Sequence, residues 1–369
     1  MKSLGPDADL AARIAAEIGA EGSITFSRFM DLALYDSREG YYASGRAEVG
    51  RSGDFVTNVS TGPMYGELLA GQFLEMRDRL GGVRDFFVIE QGAHDGHLAG
   101  DILNAIPPGD ADGLRYVIVE PFPPLRARQQ RILAGRPVEW VSSLDELSPC
   151  EGVHFSNELF DALPCDVVRS TGEGWCELRV GFENGQFVWQ PGGEVSFGLP
   201  VRPAGYTTEV RQSHQPLLQA ISQMLTRGFI LAVDYGMTHE DFLAPHRTEG
   251  TLSCYRGHRR DSDPLVDPGW KDITAHVDFS GVIRDAGHLG WELMGLTDQH
   301  HFLIGAAAET LRKMDGIVPD AQAKKRIRAL QTLVHPETMG TQFHALLLSR
   351  GLKSPAALSG FQFARANQR

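Results

Sequence analysis

Five short, almost wholly apolar runs recur through the middle of the chain: Phe86–Ile89, Arg115–Glu120, Val138–Val141, Gly152–Asn157 and Gly228–Gly236. Between the earlier ones lie segments with helical patterning, LAGDILNAI and the basic LRARQQRIL. A strand with water on one side alternates apolar and polar residues; a run that is apolar throughout must be covered on both faces. Such runs, alternating with helices, specify a mostly parallel sheet inside an α/β fold.

Other stretches read differently. Residues 1–80 form a helical region, with amphipathic helices expected at Leu10–Ile18, Phe26–Ala33 and Gly62–Leu80, around a Gly- and Tyr-rich loop from Tyr35 to Asn58. The α/β core is expected over residues 81–305. Within it, Val167–Glu194 switches to polar–apolar alternation with Asn184-Gly185 at its centre, a β-hairpin signal. An antiparallel insertion at about 166–210 follows from that. A His/Arg/Asp-rich loop is expected at 248–280, and residues 306–369 read as helical.

Composition removes several functions. With 369 residues, 42% of them hydrophobic, the chain can bury a core without disulfides or metals. A net charge of −12 argues against sequence-independent nucleic-acid binding. The apolar runs fall far short of the roughly 20 residues of a membrane helix. Cys150, Cys165, Cys176 and Cys254 show no C-x-x-C pairing, as reduced thiols would. The first 20 residues lack the features of a signal or transit peptide, so a cytoplasmic location is expected. No His/Cys set has metal-ligand spacing, and no G-x-S-x-G elbow marks a serine hydrolase.

The chemistry gathers at strand ends. After the first run comes Glu90-Gln91-Gly92-Ala93-His94-Asp95-Gly96, before a helix, where open α/β sheets bind ligands. Glycines admit close backbone approach, and the helix start offers free N–H groups. Glu120 ends the next run, placed to accept from both hydroxyls of a ribose. Dinucleotides and S-adenosylmethionine both use this layout. The absence of G-x-G-x-x-G weighs against a dinucleotide and a nicotinamide oxidoreductase. Glu90 suits a cofactor with an ammonium end.

Asn157, Glu158 and Asp161 follow the fourth run and could position an amine or guanidinium. Helix capping by Asn157 explains the same string equally well. Asp234 ends the later run, and Gly53-Asp54-Phe55-Val56-Thr57 reads as a surface turn.

Taken in order, FMDLALYDSREGYYASG, GDFVT, MYGELLAGQF, VIVEPFPPLRARQ, FSNELFDALP and VDYG resemble the MidA family. The likeness continues through Gly250-Thr251-Leu252, Tyr255, His258, Asp272–Phe279, His335-Pro336, Met339-Gly340 and Phe343. That family includes the mitochondrial complex I assembly methyltransferase, which methylates a protein arginine. The resemblance implies a class I S-adenosylmethionine-dependent methyltransferase with a Rossmann-like, seven-stranded mixed sheet. It assigns the cofactor to Glu90, Gly92, His94 and Gly96, to Glu120 and Asn157, with Gly53, Asp54, Phe55 and Thr57 closing over it. Two departures stand out. The family's loop reads E-x-G-x-G-x-G, and here His94 puts a ring where backbone should approach the cofactor; Ser60 and Gly62 stand where an acid and a serine are usual.

An arginine acceptor stays protonated in water, so acids must hold it and take its proton. Glu158 and Asp161 are the expected catalytic pair. Asp234 is a lesser candidate, and His258, Asp272 and His276 are candidates for substrate contact. The implied partner is an arginine-bearing protein, a respiratory complex I subunit by resemblance. The alternative is a catalytically weak or silent assembly factor using the same cleft.

Overall fold

A computed structural model describes residues 9–46, 62–256, 259–261, 263–314, 320–335, 340–352 and 357–364. The five apolar runs are strands: Phe86–Gln91 (β1), Leu114–Val119 (β2), Val138–Val141 (β3), Cys150–Asn157 (β4) and Leu225–Met237 (β5). Two later strands, Glu292–Asp298 (β6) and Phe343–Arg350 (β7), join them. The seven run in the order β6-β7-β5-β4-β1-β2-β3. From β3 to β5 every pairing is parallel. β7 alone is reversed, antiparallel to both β5 and β6.

Burial on both faces explains the apolar runs of β1, β2, β4 and β5, whereas β3 lies at the sheet edge with Glu139 exposed. Val88, Val153 and Phe229 are fully buried, and so are the alternate positions Ile89, His154 and Ile230. One face packs on the helices Met64–Arg79 and His97–Ala105, with Phe73 edge-on to Phe155 at 5.4 Å. Each such aromatic burial is worth about 2–3 kcal/mol.

By contact the chain divides into two units that interleave along the sequence: Met1–Phe55, Asp161–His214 and Thr238–Asp278, and Val56–Phe160, Gln215–Met237 and Phe279–Arg369. The second carries the seven strands. The first holds an antiparallel sheet of Ile24–Thr25, Trp175–Glu183, Asp166–Ser170 and Thr207–Val210, with Gln186–Val195 paired to Trp175–Glu183. At its hairpin, Asn184 and Gly185 both take positive φ, 50° and 81°, the twist that antiparallel neighbours require. Helices Leu10–Glu21 and Phe26–Tyr35 bury Ile14, Ile18, Phe26 and Phe29 with Val167, Leu178 and Val180. Their caps are Asp9, which accepts from Ala12 N, and Thr25, which accepts from Arg28 N.

Two expectations need correcting. The C-terminal region is not wholly helical: after the helices Gln299–Met314 and Ala321–Val334 comes β7, an interior strand. Its run Ala345–Leu348 is apolar at every position, and an apolar run that short has no period to separate strand from helix. The loop at 248–280 contains a small antiparallel sheet of Ser253–Arg256, Arg259–Asp261 and Asp272–Thr274, strands too short to carry alternation. Among the described residues, no helix is long and apolar enough to cross a membrane.

Candidate active site

In this sheet, β1 neighbours β2 on one side and β4 on the other. Chain connections leave in opposite directions there, so the carboxyl ends of β1 and β4 flank the switch point at which α/β sheets bind ligands. The two strand-end loops touch: a Cβ on Gly92 would meet Leu159 Cδ1 at 3.4 Å. Gly92 and Gly96 both have positive φ, 84° and 89°. Gly96 is also hemmed in, since a Cβ there would lie 3.2 Å from Leu133 Cδ1.

His94 keeps the glycine-like backbone that the loop needs, with φ 46°. The ring therefore has not remodelled the loop; the backbone absorbs a left-handed conformation costing about 1–2 kcal/mol. Its carbonyl accepts from Gln129 Nε2 at 2.9 Å, and Nδ1 lies 3.9 Å from Asp95 Oδ1. Nε2 is buried without a hydrogen-bond partner among the described residues.

Glu120 follows β2 and is 4% exposed. Its Oε1 accepts from Phe122 N at 2.9 Å and its Oε2 from Gln129 Nε2 at 2.8 Å. Burial raises its pKa; the bonds from Phe122 and Gln129, and the nearby His94, work against that rise. Gln129 is itself fixed by Trp140 Nε1, 3.1 Å from its Oε1. Glu90, 2% exposed, is pushed up to about 7 by burial, against the restraining bond from Tyr116 hydroxyl at 2.8 Å. A buried carboxyl so poised gains by receiving a cation.

At the end of β4, Tyr65 hydroxyl donates to Asn157 Oδ1 at 2.8 Å, and Asn157 Nδ2 donates to Glu158 Oε1 at 2.9 Å. Glu158 is the second strained residue, with φ 56°, and its N–H donates to Val233 O. No helix follows Asn157, so it is not a helix cap. Asp234 is fully buried, and its carboxylate accepts from the backbone N–H groups of Leu159, Phe160 and Tyr235 at 2.8–3.0 Å. It holds the loop that carries Glu158, a positioning role.

The other described candidates belong to the first unit. Asp161 belongs to the first unit, 5% exposed, its carbonyl accepting from Ala275 N and Arg211 Nη2. Asp272 accepts from Tyr42 hydroxyl at 2.8 Å, and His276 N–H donates to Thr251 Oγ1; these bonds shape the 248–280 segment. Gly53, Asp54, Phe55, Thr57, Ser60 and His258 lie outside the described residues. Tyr65, Gln129 and Trp140 had no motif to mark them. A glutamine between the arginines of LRARQQRIL reads as exposed, yet Gln129 is fully buried.

These residues fit an adenosine-bearing group with a positive end: a carboxylate beside a glycine loop, a second carboxyl poised near neutrality, and an orphaned imidazole nitrogen. Among the described residues, no group of three His, Cys, Asp or Glu could hold a metal ion.

Comparison with known proteins agrees. A family of S-adenosyl-L-methionine-dependent methyltransferases matches residues 68–297, a span from the helix before β1 to β6. The crystal structure of a methyltransferase-like protein from Burkholderia thailandensis, bound to S-adenosyl-homocysteine, superposes with a TM-score of 0.85 at 32% identity, covering 99% of this chain and 98% of that one. The mitochondrial protein arginine methyltransferase NDUFAF7 of Xenopus tropicalis is 25% identical over 89% of this chain and 82% of its own length. The human protein of that name is 26% identical over 90% and 81%. The chain thus belongs to the MidA family of class I S-adenosylmethionine-dependent methyltransferases.

Proposed function

We propose that this chain transfers a methyl group to an arginine side chain of a protein, with a complex I subunit as the first substrate to try. The observation carrying this reading is Glu158, a carboxylate held in left-handed backbone at the switch point, braced by Asn157 and by the Asp234-bound loop. The names of the NDUFAF7 relatives support arginine as the acceptor.

S-adenosylmethionine, when bound, supplies a methyl group activated by its sulfonium. Glu120 holds the ribose hydroxyls, and the glycines at 92 and 96 let the loop close on the adenosyl moiety. Glu90 receives the ammonium end and ionises fully as it does so. Glu158 then grips the acceptor guanidinium and fixes one nitrogen in line with the methyl carbon. As that nitrogen's lone pair formed the new N–C bond and the sulfur left with the C–S electrons, Glu158 would take the proton the nitrogen sheds. The net charge of −12 favours a cationic substrate.

The test is to incubate the protein with methyl-labelled S-adenosylmethionine and recombinant arginine-bearing complex I subunits, then locate label by peptide mass spectrometry. Label on arginine, lost in Glu158→Gln, supports the reading. Label on another side chain, or none while cofactor binds, overturns it in favour of a different acceptor or a silent binding factor.

A further inference from the structure

His94 concentrates two costs in one residue. Its backbone is left-handed, at φ 46°, where glycine would be unstrained. Its Nε2 is buried with no partner among the described residues, although the ring as a whole is 20% exposed. Strain and an unsatisfied polar atom together are what a ligand site stores. A residue that merely filled space would carry neither.

The position of the ring says which part of a ligand it faces. One amide nitrogen, Gln129 Nε2, bonds both the His94 carbonyl and Glu120 Oε2, at 2.9 and 2.8 Å. His94 is close enough to Glu120 to favour its ionised form. The imidazole therefore borders the carboxylate to which the ribose is assigned. Nδ1 faces Asp95 Oδ1 at 3.9 Å, so Nε2 is the ring atom left to meet a ligand.

We propose that His94 Nε2 donates a hydrogen bond to the oxygen of a ribose hydroxyl whose proton Glu120 accepts, so that the ring in the glycine loop adds to binding and does not block it. This rests on the cofactor reading above, and adds to it a contact made by this chain's departure from the glycine pattern.

The experiment is calorimetric titration of S-adenosylmethionine and of 5′-methylthioadenosine, which keeps the ribose and lacks the amino-acid end. The proteins are the wild type, His94→Gly, His94→Asn and His94→Gln. Glycine should weaken both ligands about tenfold, the worth of one hydrogen bond. Thermal unfolding without ligand should show that same variant to be at least as stable as the wild type, because the strain is gone. Glutamine places an amide N–H at the reach of Nε2 and should restore most affinity; asparagine reaches only as far as Nδ1 and should not. Equal or tighter binding by His94→Gly overturns the contact while leaving the cofactor site standing. A loss confined to S-adenosylmethionine moves the contact to the amino-acid end and overturns the ribose assignment. No binding by any of the four proteins overturns the cofactor reading itself.

Discussion

Two buried polar sites, one in each unit, are built in opposite ways. In the first, Glu209 accepts from Thr251 N and Oγ1 and from Leu252 N, and Arg211 donates to the carbonyls of Asp161, Leu163, Ala275 and His276. Both side chains are saturated by the fold itself. At the strand ends of the second unit, His94 has an orphaned nitrogen, and His94 and Glu158 are strained. Saturated charge reads as architecture; strained or under-satisfied polar groups read as a place waiting for a ligand.

The sharpest way to break this contrast is Arg211→Met. It strips donors from four carbonyls and should lower stability by at least about 3 kcal/mol in denaturant unfolding, or abolish folding. A mild loss of stability would mean that Arg211 is not the staple described. Glu158→Gln should do the reverse: turnover should fall about 10²–10³-fold, with cofactor affinity and melting temperature nearly unchanged. Unaltered turnover would remove Glu158 from the chemistry.

Glu120→Ala should weaken cofactor binding about a hundredfold, the size of two bonds to a charged acceptor, and calorimetry reads it directly. The smallest effect concerns Glu90. Its carboxyl is near 7 in the folded chain and near the ordinary 4.5 when unfolded, so between those values the folded state holds a proton that the unfolded state has released. Its contribution to cofactor-free stability is fully present below about 4.5 and is lost as pH rises through about 7. Cofactor affinity should run the other way, about tenfold weaker at pH 6 than at pH 8, because only the ionised carboxyl greets the ammonium. Glu90→Gln should flatten both profiles; persistence of either would place the titration elsewhere.

Much of the sheet was legible in the sequence because β1, β2, β4 and β5 each carry an apolar run that burial on two faces explains; β3, an edge strand with Glu139 exposed, was legible from its apolar neighbours alone. Asn184-Gly185 gave the hairpin for an equally local reason. β7 was not legible, since Ala345–Leu348 is four apolar residues with no period and its partners, β5 and β6, are set by long-range pairing. In the site, Gly92, Gly96, Glu120 and Asn157-Glu158 could be found by their place after apolar runs. Gln129, Trp140 and Tyr65 could not, because a supporting residue is marked by what it touches. Asp234 shows the converse: an acid at a strand end looks like chemistry until its carboxylate is seen holding three backbone amides.

The strand order also has a bearing on how the protein is made. β7 lies between β5 and β6, yet it is the last of the three to be synthesised. Translation from the end of β5 to the end of β7 takes on the order of ten seconds. Throughout that interval the nascent sheet ends in the open, very apolar edge of β5, a template for pairing with other chains. A ribosome-bound chain stopped before residue 343 should therefore be the form most dependent on chaperones, and C-terminal truncations should fail by aggregation, not by loss of the site.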